Sequence, residues 1–337
     1  MKKNLCCIVL LIFFISCLKE NQRDMGVDEL LYIPPGFPVP FFPPDNTFNE
    51  TRFYLGRRLF YDPILSRDST ISCASCHHQE YAFSDTTAFS DGVNRAPGIR
   101  NASTLTNVTY NPYFTREGGV PTLEMQIFVP IQEHNEFNFN IVLIADKLKM
   151  DSSYVSLCKL AYDRTPDPFC ITRAIACFER TLISGQSRYD EFANSSRLDA
   201  LSNSEKRGLD LFFSTKTNCS SCHSGFNFTN YKFENNGLYE NYPDQGKFRL
   251  TEDSSDLALF KVPTLRNIEL TSPYMHDGSI KSLKDIIEHY NSGGKNHPHK
   301  SKLIKSLNLS IQQKEDLLAF LKSLTDEKFI KNKKFRL

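Results

Sequence analysis

"LFYDPILSRDSTISCASCHHQEYAFSD", Leu59 to Asp85, decides how the rest of the chain is read. At its centre Cys73 and Cys76 are two residues apart, and His77 follows at once. Thiolates at that spacing serve zinc, a redox-active dithiol or a covalently attached haem. The device returns in "CSSCHS", with Cys219, Cys222 and His223. Pooled, the four cysteines would suit tetrahedral zinc, but structural zinc pairs usually lie roughly 15–20 residues apart. A thioredoxin-like dithiol wants a strand–helix setting that is missing here. Covalent haem needs two thiols to attack two vinyl groups and a histidine beside them for the iron. Both copies meet that need, so each is expected to carry a c-type haem. His78 is expected at the surface or behind the ligand.

The flanks of the two motifs are helical. "NETRFYLGRRLFYD" puts Phe53, Leu55, Leu59 and Phe60 near helical spacing, and "ITRAIACFERTLIS" aligns Ile171, Ala174, Ile175, Phe178 and Leu182. Ser282 with Asp285, and Ser310 with Gln313, have the capping-box spacing, and Gly293-Gly294 closes the first of these two helices. "LGRRLFYDP…CASCHH" is echoed by "RGLDLFFST…CSSCHS". Arg100-Asn101 and Arg266-Asn267 look like a second echo, and Pro112-Tyr113 and Pro273-Tyr274 a third. Two tandem, all-α, cytochrome c-like domains follow, each with a covalent haem and long connecting loops. Residues 51–195 form the first and 196–337 the second. The long, weakly periodic stretch from His78 to Glu136 is of a length usually reserved for function.

The chain carries 40 Lys plus Arg against 39 Asp plus Glu, which leaves no footprint for nucleic acid. Residues 1–17 have two lysines, an apolar run from Leu5 to Ile15, and then Ser16-Cys17. That run is short for a membrane span and fits a lipoprotein-type signal, with Cys17 as the lipidated first residue of an exported chain. Residues 18–50 include a proline run from Pro34 to Pro44, expected as a semi-rigid tether or a strap laid down by its Phe residues. Folded structure is expected from about Thr51. Cys158, Cys170 and Cys177 are left over, with a Cys158–Cys170 disulfide as one pairing and Cys177 as a buried thiol.

"LGRRLFYDPILSRDSTISCASCHHQEYAFSD" and "KVPTLRNIELTSPYMHDGSIKSLKDIIEHY" resemble the bacterial dihaem cytochrome c peroxidases, the family that includes MauG. The resemblance runs from about Pro34 to about Leu324. It implies that the haem on His77 meets hydrogen peroxide and that the haem on His223 relays electrons from a small cytochrome c or cupredoxin in the periplasm. It maps the family's acid–base pair in "LEMQIFVPIQEHNEF" onto Gln126 and Glu136. Glu136 would shuttle a proton and Gln126 would orient peroxide or water. Many relatives close the peroxide-side iron with a loop histidine, but Gln79 to Glu133 contains none, and Asp91 and Val93 fall where it would be. His134 sits beside the acid–base segment, where the family has no ligand. An open site, ready without prior reduction, is the expectation.

For the second iron the resemblance places the far ligand at Tyr290, with Met275 or His276 as the alternatives. It also implies a calcium ion between the haems, held by Asn101, Thr271 and Pro273. Relatives are commonly homodimers. One departure stands out: the family's inter-haem Trp, in a "WDGR" segment, is replaced by "FTREGGVPTLEMQ", and the chain has no Trp. Either electrons pass directly through the intervening atoms, or Tyr113, Phe114 or another residue serves.

Overall fold

The computed structural model describes residues 30–194 and 197–337. The signal segment, Cys17 and the expected boundary at 195/196 lie outside the described residues. Helix α1, Glu50–Tyr61, starts where the Asn49 side chain accepts from the Arg52 amide at 2.8 Å, and it buries Phe53, Leu55, Leu59 and Phe60 completely. Helices α2, Ile141–Lys149, and α3, Ser152–Tyr162, pack beside it. Helix α4, Pro168–Glu179, begins on an Asp167 cap with proline in its first turn. Its stripe of Ile171, Ala174, Ile175 and Phe178 is fully buried, and so is Leu182, although that residue lies beyond the helix end. Each such side chain stabilises the fold by about 1.5–3 kcal/mol on leaving water.

The second module repeats the plan with α5, Asn203–Phe212, α6, Leu283–Ser292, and α7, Ile311–Lys322. Ser202 with Glu205 and Ser310 with Gln313 form complete capping boxes. At Ser282 the hydroxyl caps the Asp285 amide and also donates to the Asp285 carboxylate at 2.6 Å. One glycine in each module lets two helices meet closely. A Cβ on Gly56 of α1 would lie 1.8 Å from the Ala174 carbonyl oxygen of α4, and one on Gly208 of α5 would lie 1.9 Å from that of Asp316 on α7. The neighbouring wall is Phe178 in one module and Phe320 in the other.

This geometry also corrects the expected repeat register. Asn267 has a left-handed backbone, its amide donates to Leu324, and it precedes a 3₁₀ turn. Its counterpart is Asn107, whose amide donates to Leu182 ahead of the turn Val108–Tyr110, and not Asn101. Each asparagine is then followed, seven residues on, by an aromatic at a hairpin bridge: Phe114 with Val120, and Tyr274 with Ile280. Pro112-Tyr113 and Pro273-Tyr274 are therefore one residue out of step.

The fold is predominantly helical, and the described residues contain one two-stranded sheet, β1, Phe233–Glu234, antiparallel to β2, Phe260–Lys261. Packing begins before Thr51. Phe37 lies against Phe226 of the second module at 4.7 Å, edge to face, and Asn46 is fully buried on Glu124 and the Arg173 carbonyl. The proline run is thus a strap over both modules. The C-terminal tail also crosses over. Phe329, Ile330 and Phe335 join the core of the first module, where Phe329 meets Phe83 at 5.7 Å.

Candidate functional site

Both cysteine motifs are built the same way. Cys73–Ser75 forms a 3₁₀ turn under a Ser72–Ser75 capping box, and the His77 amide donates to the Cys73 carbonyl at 3.0 Å. Ala82 and Phe83 then take left-handed backbones, which turns the chain back until the Phe83 carbonyl meets His77 Nδ1 at 2.9 Å. In the second copy Cys219–Cys222 makes one helical turn, and left-handed Phe228 brings its carbonyl to His223 Nδ1 at 3.1 Å. A carbonyl only accepts, so each Nδ1 must carry the proton and each neutral ring leaves Nε2 bare. Burial lowers the pKa of His77 and takes that of His223 down to about 4, so both rings stay neutral at pH 7. Neutral imidazoles oriented through Nδ1 are the usual metal-ligating arrangement. Cys73, Cys76, Cys219 and Cys222 are all free thiols, half-buried beside these rings. The residues fit two c-type haems. His78 faces Asp85 at 3.9 Å and stays partly exposed, as expected.

Glu136 follows the short helical turns Leu123–Gln126 and Phe128–Gln132. Its carbonyl accepts from the Val93 amide at 2.9 Å. Gly92 lies so close beneath that a Cβ there would be 2.1 Å from the Asn135 carbonyl oxygen. The loop that lacks a histidine therefore holds the Glu136 backbone. Val93 is buried and Asp91 is exposed. Glu136 is exposed to solvent by surface area, yet enough protein surrounds its carboxyl to desolvate it. Desolvation, then the neighbouring Glu133, raises its pKa to about 7. A charge on Glu136 would raise the pKa of both Cys73 and Cys76, so it is within electrostatic reach of the first motif. Gln126 is half-buried, and its Oε1 is a buried acceptor with no hydrogen-bond partner. No hydrogen bond joins it to Glu136. His134 is exposed and bonds Asn138 at 3.1 Å. Sequence reasoning missed Glu179 on α4, which is buried, close enough to influence Cys73, and raised to about 8 by burial.

Tyr290 lies near Cys219 and Cys222, and burial pushes its phenol up to about 12 while a hydrogen bond with Asn236 opposes the shift. Asn236 also donates through Nδ2 to Met275 Sδ at 3.1 Å, and its carbonyl pairs with His289 at 3.0 Å. Tyr290 and Met275, two of the three candidate far ligands, thus share the Asn236 carboxamide, a residue that sequence reasoning missed. His276 is packed face to face on Phe260 at 4.2 Å and is buried.

Between the modules stands a cluster of charges. Arg100 pairs with Asp244 at 2.6 and 2.8 Å and with Glu117. Arg116 donates to the Asn101 carbonyl at 3.2 and 2.8 Å and to Asn101 Oδ1 at 3.1 Å. The two oxygens that Asn101 could offer a cation are therefore both held by a guanidinium. Thr271 and Pro273 would bring only backbone carbonyls, so Asn101 Oδ1, which Arg116 holds, is the one side-chain oxygen of the expected set. This donor set does not fit the calcium ion expected from the resemblance. Tyr113 stacks on Phe233 at 5.1 Å and donates its hydroxyl to the Tyr231 carbonyl, while Phe114 is buried. Cys158, Cys170 and Cys177 are buried free thiols.

A family profile described as di-haem cytochrome c peroxidase matches residues 50–197, and a cytochrome c profile matches residues 206–325. The chain is 34% identical to the methylamine utilization protein MauG of Methylorubrum extorquens, over 85% of this chain and 81% of that protein. It is 31% identical to the cytochrome-c peroxidase IdrP1 of a Pseudomonas species, over 86% of this chain and 84% of the relative. A crystal structure of a MauG-like protein associated with microbial copper homeostasis superposes with a TM-score of 0.85 at 35% identity, covering 90% of this chain and 97% of that one.

Proposed function

The chain belongs to the di-haem cytochrome c peroxidase family, and from that premise we propose that it reduces hydrogen peroxide to water beside Cys73–His77. It is an oxidoreductase with two c-type haems. Cys73, Cys76 and His77 would hold the first haem, and Cys219, Cys222 and His223 the second, with Tyr290 as its far ligand. When bound, haem supplies an iron that takes up peroxide and stores its oxidising equivalents. The balance is one peroxide, two electrons and two protons giving two waters. Glu136, as carboxylate, takes a proton from one peroxide oxygen and returns it to the other, which leaves as water. A carboxyl near its midpoint at pH 7 can do both. Gln126 orients the substrate with the acceptor that no protein group uses. The loop around Val93 brings no side-chain imidazole to this side, so the site is ready before any reduction. Electrons enter at the second module from a small cytochrome c or cupredoxin. Export to the periplasm, a lipid anchor on Cys17 and a homodimer complete this reading.

The observation that carries it is Glu136, pinned through its backbone to the Gly92–Val93 loop next to the first cysteine pair. Rapid mixing of the holoprotein with peroxide and reduced cytochrome c tests it, and steady turnover is expected. A second reading, a MauG-like oxidase of a protein or small-molecule target, is favoured by the place of Tyr290 near Cys219 and Cys222, since a tyrosine bound to the iron would stabilise ferric and higher states. A long-lived oxidised form without turnover would select that reading. Absence of any spectral change would reduce the protein to a dihaem electron carrier and sink both.

A further inference from the structure

Asn101 is fixed on three sides. Its Nδ2 donates to the Thr87 carbonyl at 3.1 Å, its amide donates to the His276 carbonyl at 2.9 Å, and its two oxygens accept from Arg116. Because Nδ2 is committed to Thr87, the carboxamide cannot flip, and Oδ1 must face the guanidinium. Arg116 is itself anchored, since its carbonyl accepts from the Lys261 amide at 2.7 Å. One arginine thus links the Asn101 segment of the first module to the β2 segment of the second.

The charges nearby leave little for a divalent ion. Arg100 takes Glu117 and Asp244, and Asp277 accepts from the Tyr239 hydroxyl at 2.5 Å and the Ser279 amide at 3.1 Å. Lys261 Nζ donates to the Tyr113 carbonyl at 2.9 Å. Arg100, Arg116 and Lys261 already put three cationic side chains against these three carboxylates. Calcium asks for six to eight oxygens, preferably anionic and uncommitted. Here the oxygen that would lead the set has a positive donor on it, and a second cation beside a guanidinium is repelled.

We propose that the Arg116 guanidinium stands where a divalent cation would otherwise join the two modules, so that this protein holds its modules together without calcium. The planar fork suits the role, because it grips a carbonyl and a carboxamide oxygen of one residue at once. The residue lies in "FTREGG", the segment whose lack of Trp marks this chain as divergent. The loss of the aromatic and the loss of the metal are then one change.

The test uses the purified holoprotein. Elemental analysis after dialysis is expected to find far less than one calcium per chain. Melting followed at the haem bands is expected to give the same Tm in EGTA and in millimolar CaCl2. About one retained calcium per chain, with a lower Tm on chelation, would overturn the proposal. Arg116→Gln is expected to melt earlier in calcium-free buffer and to regain stability with CaCl2 but not MgCl2. A wild-type Tm for that variant, or an early melt that calcium does not raise, would also overturn it. If the variant does not fold, the wild-type measurements decide alone.

Discussion

Glu136 combines two demands on one carboxyl: enough burial to keep a proton near neutrality, and enough openness for a small substrate to reach it. Its raised pKa makes the protonated form dominant below about 7 and the accepting carboxylate dominant above it. If the first proton moves to Glu136, kcat/KM for peroxide falls as pH drops through about 7 and levels off above. Stopped-flow mixing on both sides of that pH checks the sign, and a flat profile removes Glu136 as the acceptor. Glu136→Gln keeps the shape and loses the proton acceptor, so kcat/KM should fall by ~10²–10⁴ with the haem spectrum unchanged. At this scale the sequence was most informative where one residue type has one chemical use. Cys73, Cys76, His77 and their second copies declare themselves by spacing alone. Glu136 needed the family resemblance, because a glutamate in a loop has many uses. Glu179 and Asn236 stayed hidden, since their roles depend on what lies across from them.

At the scale of elements, the pairing of α1 with α4 and of α5 with α7 rests on a missing side chain. Helix propensity alone says that Gly208→Ala should stabilise α5 by about 1 kcal/mol. The geometry says the reverse, because the new Cβ would meet the Asp316 carbonyl at 1.9 Å and force the helices apart. Gly208→Ala should therefore destabilise the second module by about 1–3 kcal/mol, and Gly56→Ala the first by a similar amount. Urea unfolding of the two variants reads the sign directly. Unchanged or raised stability would mean that the helices pack less tightly than described. The helices themselves were legible: the apolar stripes are local, and Ser310 with Gln313 closes as a full box. The glycine contacts were not legible, because they depend on a partner more than a hundred residues away. The repeat register failed for a related reason, since Arg-Asn recurs in the letters while the turn geometry belongs to Asn107 and Asn267.

On the scale of the whole molecule, the two modules are less separable than a tandem repeat suggests. Asp326 accepts from Ser184 Oγ at 3.1 Å and from the Gly185 and Gln186 amides at 3.0 and 2.9 Å, which aims the tail at the first module. Gln79, two residues past His77, donates to the Asn332 carbonyl at 2.8 Å. Phe335 lies against Phe83, the residue whose carbonyl orients His77, at 6.2 Å. Phe335→Ala should cost about 3–5 kcal/mol. The loss should show first at the Cys73 haem, as altered absorbance on mild heating, and equal loss at both haems would argue against this path. None of this was legible at the C-terminus, where "EKFIKNKKFRL" looks like a charged tail with scattered aromatics. There is a consequence for how the molecule is made. A chain is synthesised from its N-terminus, so the first module emerges with part of its core still to come. Its aromatic floor can close only once Phe329, Ile330 and Phe335 have been made, well after the Cys73–His77 turn. The first motif is therefore synthesised long before the residues that complete its own core.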